Sequence, residues 1–175
     1  DEVERLLEDL REKVKRLVKK HEDILREVEK EVRRILRTSE EINREAEEII
    51  RELDKRGNED EETVRRILRT IEEVLKELEK RHRDLLKELE EVAKRVKEKS
   101  DELIKTIDRV IEKLRRDGVD EDVLRDVDRL LRELREKSKE VNKRIKELLD
   151  KLKTDLERSK EHLERLVKTL KDKLR

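Results

Sequence analysis

Three histidines, His21, His82 and His162, are the side chains in this sequence best suited to exchanging protons near neutral pH, and no cysteine stands with them. Two kinds of chemistry would use them. A zinc ion needs three or four His, Cys or carboxylate ligands converging at about 2 Å, and no two of these histidines are close enough in sequence to share a helical turn. A Ser-His-Asp apparatus needs a carboxylate behind the imidazole, an oxyanion hole and a cleft, and the pattern supplies none of these as a set. His21 and His82 instead share a property with Ser39, Ser100, Ser138, Ser159, Asn43 and Asn142: each interrupts a stripe of Leu, Ile and Val. The chemistry to expect of them is mutual hydrogen bonding inside an apolar core. His162 falls about 40° outside the stripe on its helix and belongs to the rim or the surface.

The stripes define the elements that carry these residues. Eighteen residues make five turns at about 3.6 residues per turn, so positions eighteen apart lie above one another on a straight helix. In the first segment the columns are Val3/His21/Ser39, Leu6/Ile24/Ile42, Leu7/Leu25/Asn43, Leu10/Val28/Ala46, Val14/Val32/Ile50 and Leu17/Ile35/Leu53. In the second they include Val64/His82/Ser100, Ile71/Leu89/Ile107 and Leu78/Val96/Leu114, and in the third Val123/Val141/Ser159, Val127/Ile145/Leu163 and Leu134/Leu152/Leu170. Such columns cover an arc of roughly 120–140°, the width of a core-facing bundle helix and wider than a two-stranded seam. They do not drift around the axis, so little supercoiling is expected. Thr38, Thr70, Thr106 and Thr169 fall on the rim of the arc, and Thr154 faces solvent.

Composition supports that reading and excludes others. Charged residues make up 58% of the chain, which alone would suggest disorder; the regular placement of Leu, Ile and Val argues instead for long helices. Lys and Arg number 51 and Asp and Glu number 51, so the formal charge is zero and nucleic acid loses its long-range attraction. No aromatic residue is present to stack on bases. No apolar run approaches the roughly 20 residues of a membrane span, and no signal peptide is visible. No cofactor motif or small-molecule substrate site is recognisable.

The fold expected is all-α: a long, nearly straight, antiparallel up-down-up three-helix bundle, one domain over residues 1–175, with helices at about 2–56, 59–116 and 121–174. Gly57 and Gly118 are placed to end the first two helices in the left-handed conformation. Asn58, with Glu61 three residues on, and Asp120 are placed to cap the next two, and Val119 and Leu124 to form a hydrophobic staple. When the three helices are aligned by their ends, His21 lies at the height of Ser100, Ser138 and Asn142, and His82 at the height of Ser39, Ser159 and Asn43. A buried polar group costs a few kcal/mol unless paired, so two such layers would penalise a slipped register that Leu and Ile tolerate. Burial also disfavours imidazolium, so both core histidines are expected to titrate below the ordinary value of about 6.5.

The whole chain resembles de novo designed helical bundles built from parametric helices with buried hydrogen-bond networks. The resemblance rests on the eighteen-residue columns, the Gly57 and Gly118 loops, the Glu/Lys/Arg surface and the His/Ser/Asn layers. It is a resemblance of style and carries no active-site motif. It implies a scaffold without enzymatic activity. Such designs include self-contained bundles, self-associating chains, and heterodimers in which one chain supplies three helices and a partner helix completes the bundle. A spectrin-like repeat is the nearest natural alternative, but usually carries aromatics and less regular layers. Val18, Leu36 and Asn43 widen the stripe on one side of the first helix and keep a partner helix in view.

Overall fold

Leu, Glu, Lys and Arg are strong helix formers, and no proline is present to break a run. The result, in a computed structural model that describes residues 1–56 and 60–174, is three long helices and, among the described residues, no strand. They are α1 (Glu2–Arg56), α2 (Glu61–Arg116) and α3 (Glu121–Lys173). Acidic residues occupy all three first turns, and Lys113, Arg115, Arg116, Lys171 and Lys173 occupy the last turns of α2 and α3. Both placements oppose the helix dipole's partial charge at that end.

The α2–α3 connection is a Schellman turn. Gly118 has φ of 68°, its N–H donates to the Arg115 carbonyl at 3.2 Å, and the Val119 N–H reaches back to the Leu114 carbonyl at 3.2 Å. These two bonds satisfy carbonyls that the end of α2 would leave open. Val119 and Leu124 both pack against the core cluster that contains Leu114, which fixes the entry of α3. The Asp120 carbonyl accepts from Val123 and Leu124 at 3.1 and 3.4 Å.

The α1–α2 connection differs from the sequence expectation in one respect. The second helix begins at Glu61, not at residue 59, because the Asp60 carbonyl takes its first helical bond, from the Val64 N–H at 3.2 Å. Asp serves at an N-cap about as well as Asn. The conformations expected of Gly57, Asn58 and Glu59 lie outside the described residues. At the other end α3 stops at Lys173, one residue early, where the Leu174 N–H bonds the Lys171 carbonyl at 3.1 Å in a tightened last turn.

The three helices contribute to two compact units, Asp1–Val28 with Leu89–Glu147, and Glu29–Glu88 with Leu148–Arg175. In the first, Leu7, Leu10 and Val14 of α1 form one buried cluster with Ile107, Ile111 and Leu114 of α2 and Val127, Leu131 and Leu134 of α3. In the second, Ala46, Ile50 and Leu53 of α1 meet Val64, Ile71 and Leu78 of α2 and Leu163 and Leu170 of α3. Early α1 thus meets late α2 and early α3, and late α1 meets early α2 and late α3, so the chain is an antiparallel up-down-up three-helix bundle. Fully buried side chains such as Ile107, Val127, Ile145, Leu152 and Leu170 are the columns read from the sequence. Each is worth about 1.5–3 kcal/mol of transfer free energy.

Candidate functional site: two buried polar clusters

The second unit carries the better-connected cluster, centred on the fully buried His82 of α2. Its Nδ1 lies 2.8 Å from the Leu78 carbonyl one turn back on the same helix. Its Nε2 lies 2.8 Å from Oδ2 of Asp155 on α3 and 3.5 Å from Oγ of Ser39 on α1. The Ser39 hydroxyl spends its proton on the Ile35 carbonyl at 3.0 Å, so it turns lone pairs to the ring. Beside this group, Asn43 of α1 donates from Nδ2 to Oγ of the buried Ser159 on α3 at 3.3 Å, while Asn43 Oδ1 is buried without a partner.

The proton count around His82 is informative. A neutral imidazole has one N–H, a carbonyl only accepts, and an ionised carboxylate only accepts. Both ring nitrogens nevertheless face oxygens at 2.8 Å. The single N–H of a neutral ring can therefore serve one of these two oxygens, and the tautomer decides which. Charge-assisted bonds of this length are about twice as strong as neutral ones. Asp155 keeps 22% of its side chain in solvent, which lowers the desolvation its carboxylate must bear.

The first unit holds His21, Ser100, Ser138 and Asn142, with a different outcome. His21 is 4% exposed and Ser100 is 1% exposed. Ser138 and Asn142 are half-buried. Among the described residues His21 has no side-chain hydrogen bond, and Ser100 Oγ and Asn142 Oδ1 are buried without partners. Burial therefore dominates His21 and holds its imidazole below the ordinary histidine value, with the neighbouring ammonium of Lys20 adding to the depression. The charged groups that line the groove beside it are cations: Lys20 on α1 and Arg95 and Lys99 on α2. On α3, Lys137 pairs with Glu22 at 3.5 Å. Its ammonium is held above the ordinary lysine range by Glu140 and then by Glu22.

The residue that sequence reasoning missed is Asp155. It precedes Ser159 by one turn, so it shares that residue's side of α3, but it is one of 51 Asp and Glu residues in the chain. The position eighteen residues earlier in the column is Lys137. His162 sits on the rim, 3.5 Å from Glu47. Thr38, Thr70, Thr106 and Thr169 donate their hydroxyls to carbonyls one turn back, at 2.9 to 3.1 Å. Thr70 and Thr169 are exposed, further from the core than the rim expected of them. Among the described residues no group of three or more His, Cys, Asp or Glu is arranged to hold a metal ion, and no helix is long and apolar enough to cross a membrane.

Ser100→Ala removes a buried hydroxyl without a partner and should leave stability unchanged or raise it by about 1 kcal/mol, whereas Ser39→Ala breaks its bonds and should cost about 0.5–1.5 kcal/mol. Urea unfolding of both variants checks this, and equal losses would contradict it. His21 titrates lower when folded, so the unfolded chain binds more protons between the two values and stability rises with pH. Its contribution is full above about 6.5 and is lost as pH falls from there through the folded value. His21→Asn should lose less stability than the parent between neutral and mildly acidic pH; identical losses would assign the effect to other groups.

No protein-family model matches the chain, and no curated protein does. Among solved structures, one described as "Computationally designed three helix bundle" is similar at 20% sequence identity over 99% of this chain and 88% of that one, with a TM-score of 0.42.

Proposed function

We propose that the chain is a structural scaffold in the style of designed helical bundles, folding as one domain and carrying no natural enzymatic activity. In this reading its buried polar clusters specify register and association. The observation that carries it is the setting of His82, whose ring is bonded to Ser39 of α1, Leu78 of α2 and Asp155 of α3. A slip of α1 or α3 by one turn shifts its side chains by about 5.4 Å along the axis while keeping nearly the same face inward. It would take Ser39 or Asp155 away from a fully buried imidazole, at a cost of about 1–3 kcal/mol for each group left unpaired. An all-Leu core would tolerate that slip.

A second reading, an interaction module that binds a partner helix or a second copy, is favoured by one feature of the second unit. A groove of about 330 Å³ between α1 and α2 has Ile42, Val74 and Leu78 along its floor and Glu73, Glu77 and Arg81 at its edges. Replacing His82, Asp155, Ser39, Asn43 and Ser159 together by Leu or Val separates the scaffold role from mere stability. The scaffold reading expects unfolding at equal or higher urea, together with several masses or exchanging NMR signals at low micromolar concentration. A variant that keeps one mass and one set of signals would contradict it. Sedimentation of the parent with candidate amphipathic helices decides the second reading, which requires a heavier species.

A further inference from the structure

We propose that the α1–α2 groove beside His21 is a binding site for a small organic anion with a short alkyl chain. The groove encloses about 200 Å³ and is lined by Lys20, His21 and Ile24 of α1 and by Val92, Arg95, Val96 and Lys99 of α2. That volume exceeds the roughly 30 Å³ share of one water. It falls short of the roughly 300–1,000 Å³ of drug-sized sites, so the occupant has only a handful of carbon atoms.

Charge selects an anion. Every ionisable residue that lines this groove other than the histidine is a cation, and no carboxylate joins them. Two further grooves carry both signs: Glu40 and Glu47 with Arg158 and Arg165 in one, and Glu73 and Glu77 with Arg81 in the other. Lys99 pairs with Glu102 at 3.8 Å; among the described residues Lys20 and Arg95 have no such partner. Cations of one sign over low-dielectric walls raise the local concentration of an opposite charge. Ile24, Val92 and Val96 supply the apolar contact that distinguishes an alkyl anion from a simple ion.

Hydrogen bonding points the same way. His21 is 4% exposed, lines the groove, and among the described residues bonds to nothing. A neutral ring still carries one N–H to donate. In the second unit the chain itself answers this need, with the Asp155 carboxylate 2.8 Å from His82. In the first, the position eighteen residues before Asp155 is Lys137, which pairs with Glu22 and Glu140 and supplies no carboxylate to His21. A sulfonate or carboxylate entering the groove would meet the His21 N–H, the Lys20 ammonium and the Arg95 guanidinium. Its chain would lie along the two valines and Ile24. The inference does not depend on the scaffold reading.

Hexane-1-sulfonate, titrated into the full chain near pH 7 while the three histidine ring signals are followed by NMR, tests the site. The proposal expects a saturable shift of the His21 signals, with those of His82 and His162 little changed. Hexylammonium and 1-hexanol, with the same chain, should bind at least about tenfold more weakly. The exposed pair Lys20→Gln/Arg95→Gln should weaken hexane-1-sulfonate by a similar factor without loss of helical circular dichroism. Equal binding of the alcohol, equal shifts at all three histidines, no saturation, or undiminished binding by the double variant would each overturn it.

Discussion

The structure depends on one constraint: a polar group removed from water must find its hydrogen bonds inside the protein. In a chain with so many Leu, Ile and Val columns, apolar burial supplies cohesion without direction, since one methyl-lined interface resembles the next. In the proposed reading the buried His, Ser and Asn side chains add the direction. His82 illustrates the principle, because its two ring nitrogens are answered by oxygens on all three helices of its unit. The Asp155 carboxyl at 2.8 Å gives the desolvated ring a hydrogen-bond partner on another helix.

The same residue types give opposite physics in the two units. Ser39 uses its proton within its own helix and offers lone pairs to His82, whereas Ser100, on another helix and at the same phase of its column, has a buried Oγ with no partner. His82 has a carboxylate beside it, and His21 has Lys20. Desolvation is the larger cause of the depression at His21, with Lys20 second, whereas His82 has the Asp155 carboxylate within hydrogen-bond distance. One cluster is internally complete around its imidazole, and the other leaves polar capacity open next to a groove with cationic edges.

The fold was legible in the sequence because a period of eighteen residues repeats the helix phase and leaves little choice of face. The helix boundaries at Arg56 and Arg116, the glycine turn at Gly118 and the buried columns follow from that phase and from turn chemistry. The start of α2 was less legible, since Asn58 and Asp60 are equally capable caps by type, and the helix begins at Glu61 with the Val64-to-Asp60 bond. The polar clusters were legible as sets of residues within one unit, but not as bonds. Equal height does not fix side-chain direction, and so it could not show which of these residues hydrogen-bond, as Ser39 does with His82. Asp155 was hidden by its type: among so many surface acids, only the distance to His82 sets it apart.

The central claim is that buried polar groups are kept by satisfying one another, and a double-mutant cycle on His82 and Asp155 tests it most directly. His82→Leu leaves a carboxylate facing a hydrocarbon, and Asp155→Leu leaves the ring with Ser39 as its cross-helix partner at 3.5 Å. If the two groups hold each other, each single variant loses stability in urea, and the double variant loses less than the sum by about 1–3 kcal/mol. Losses that add to within about 0.5 kcal/mol would show two independent side chains, and the mutual-satisfaction account would be contradicted.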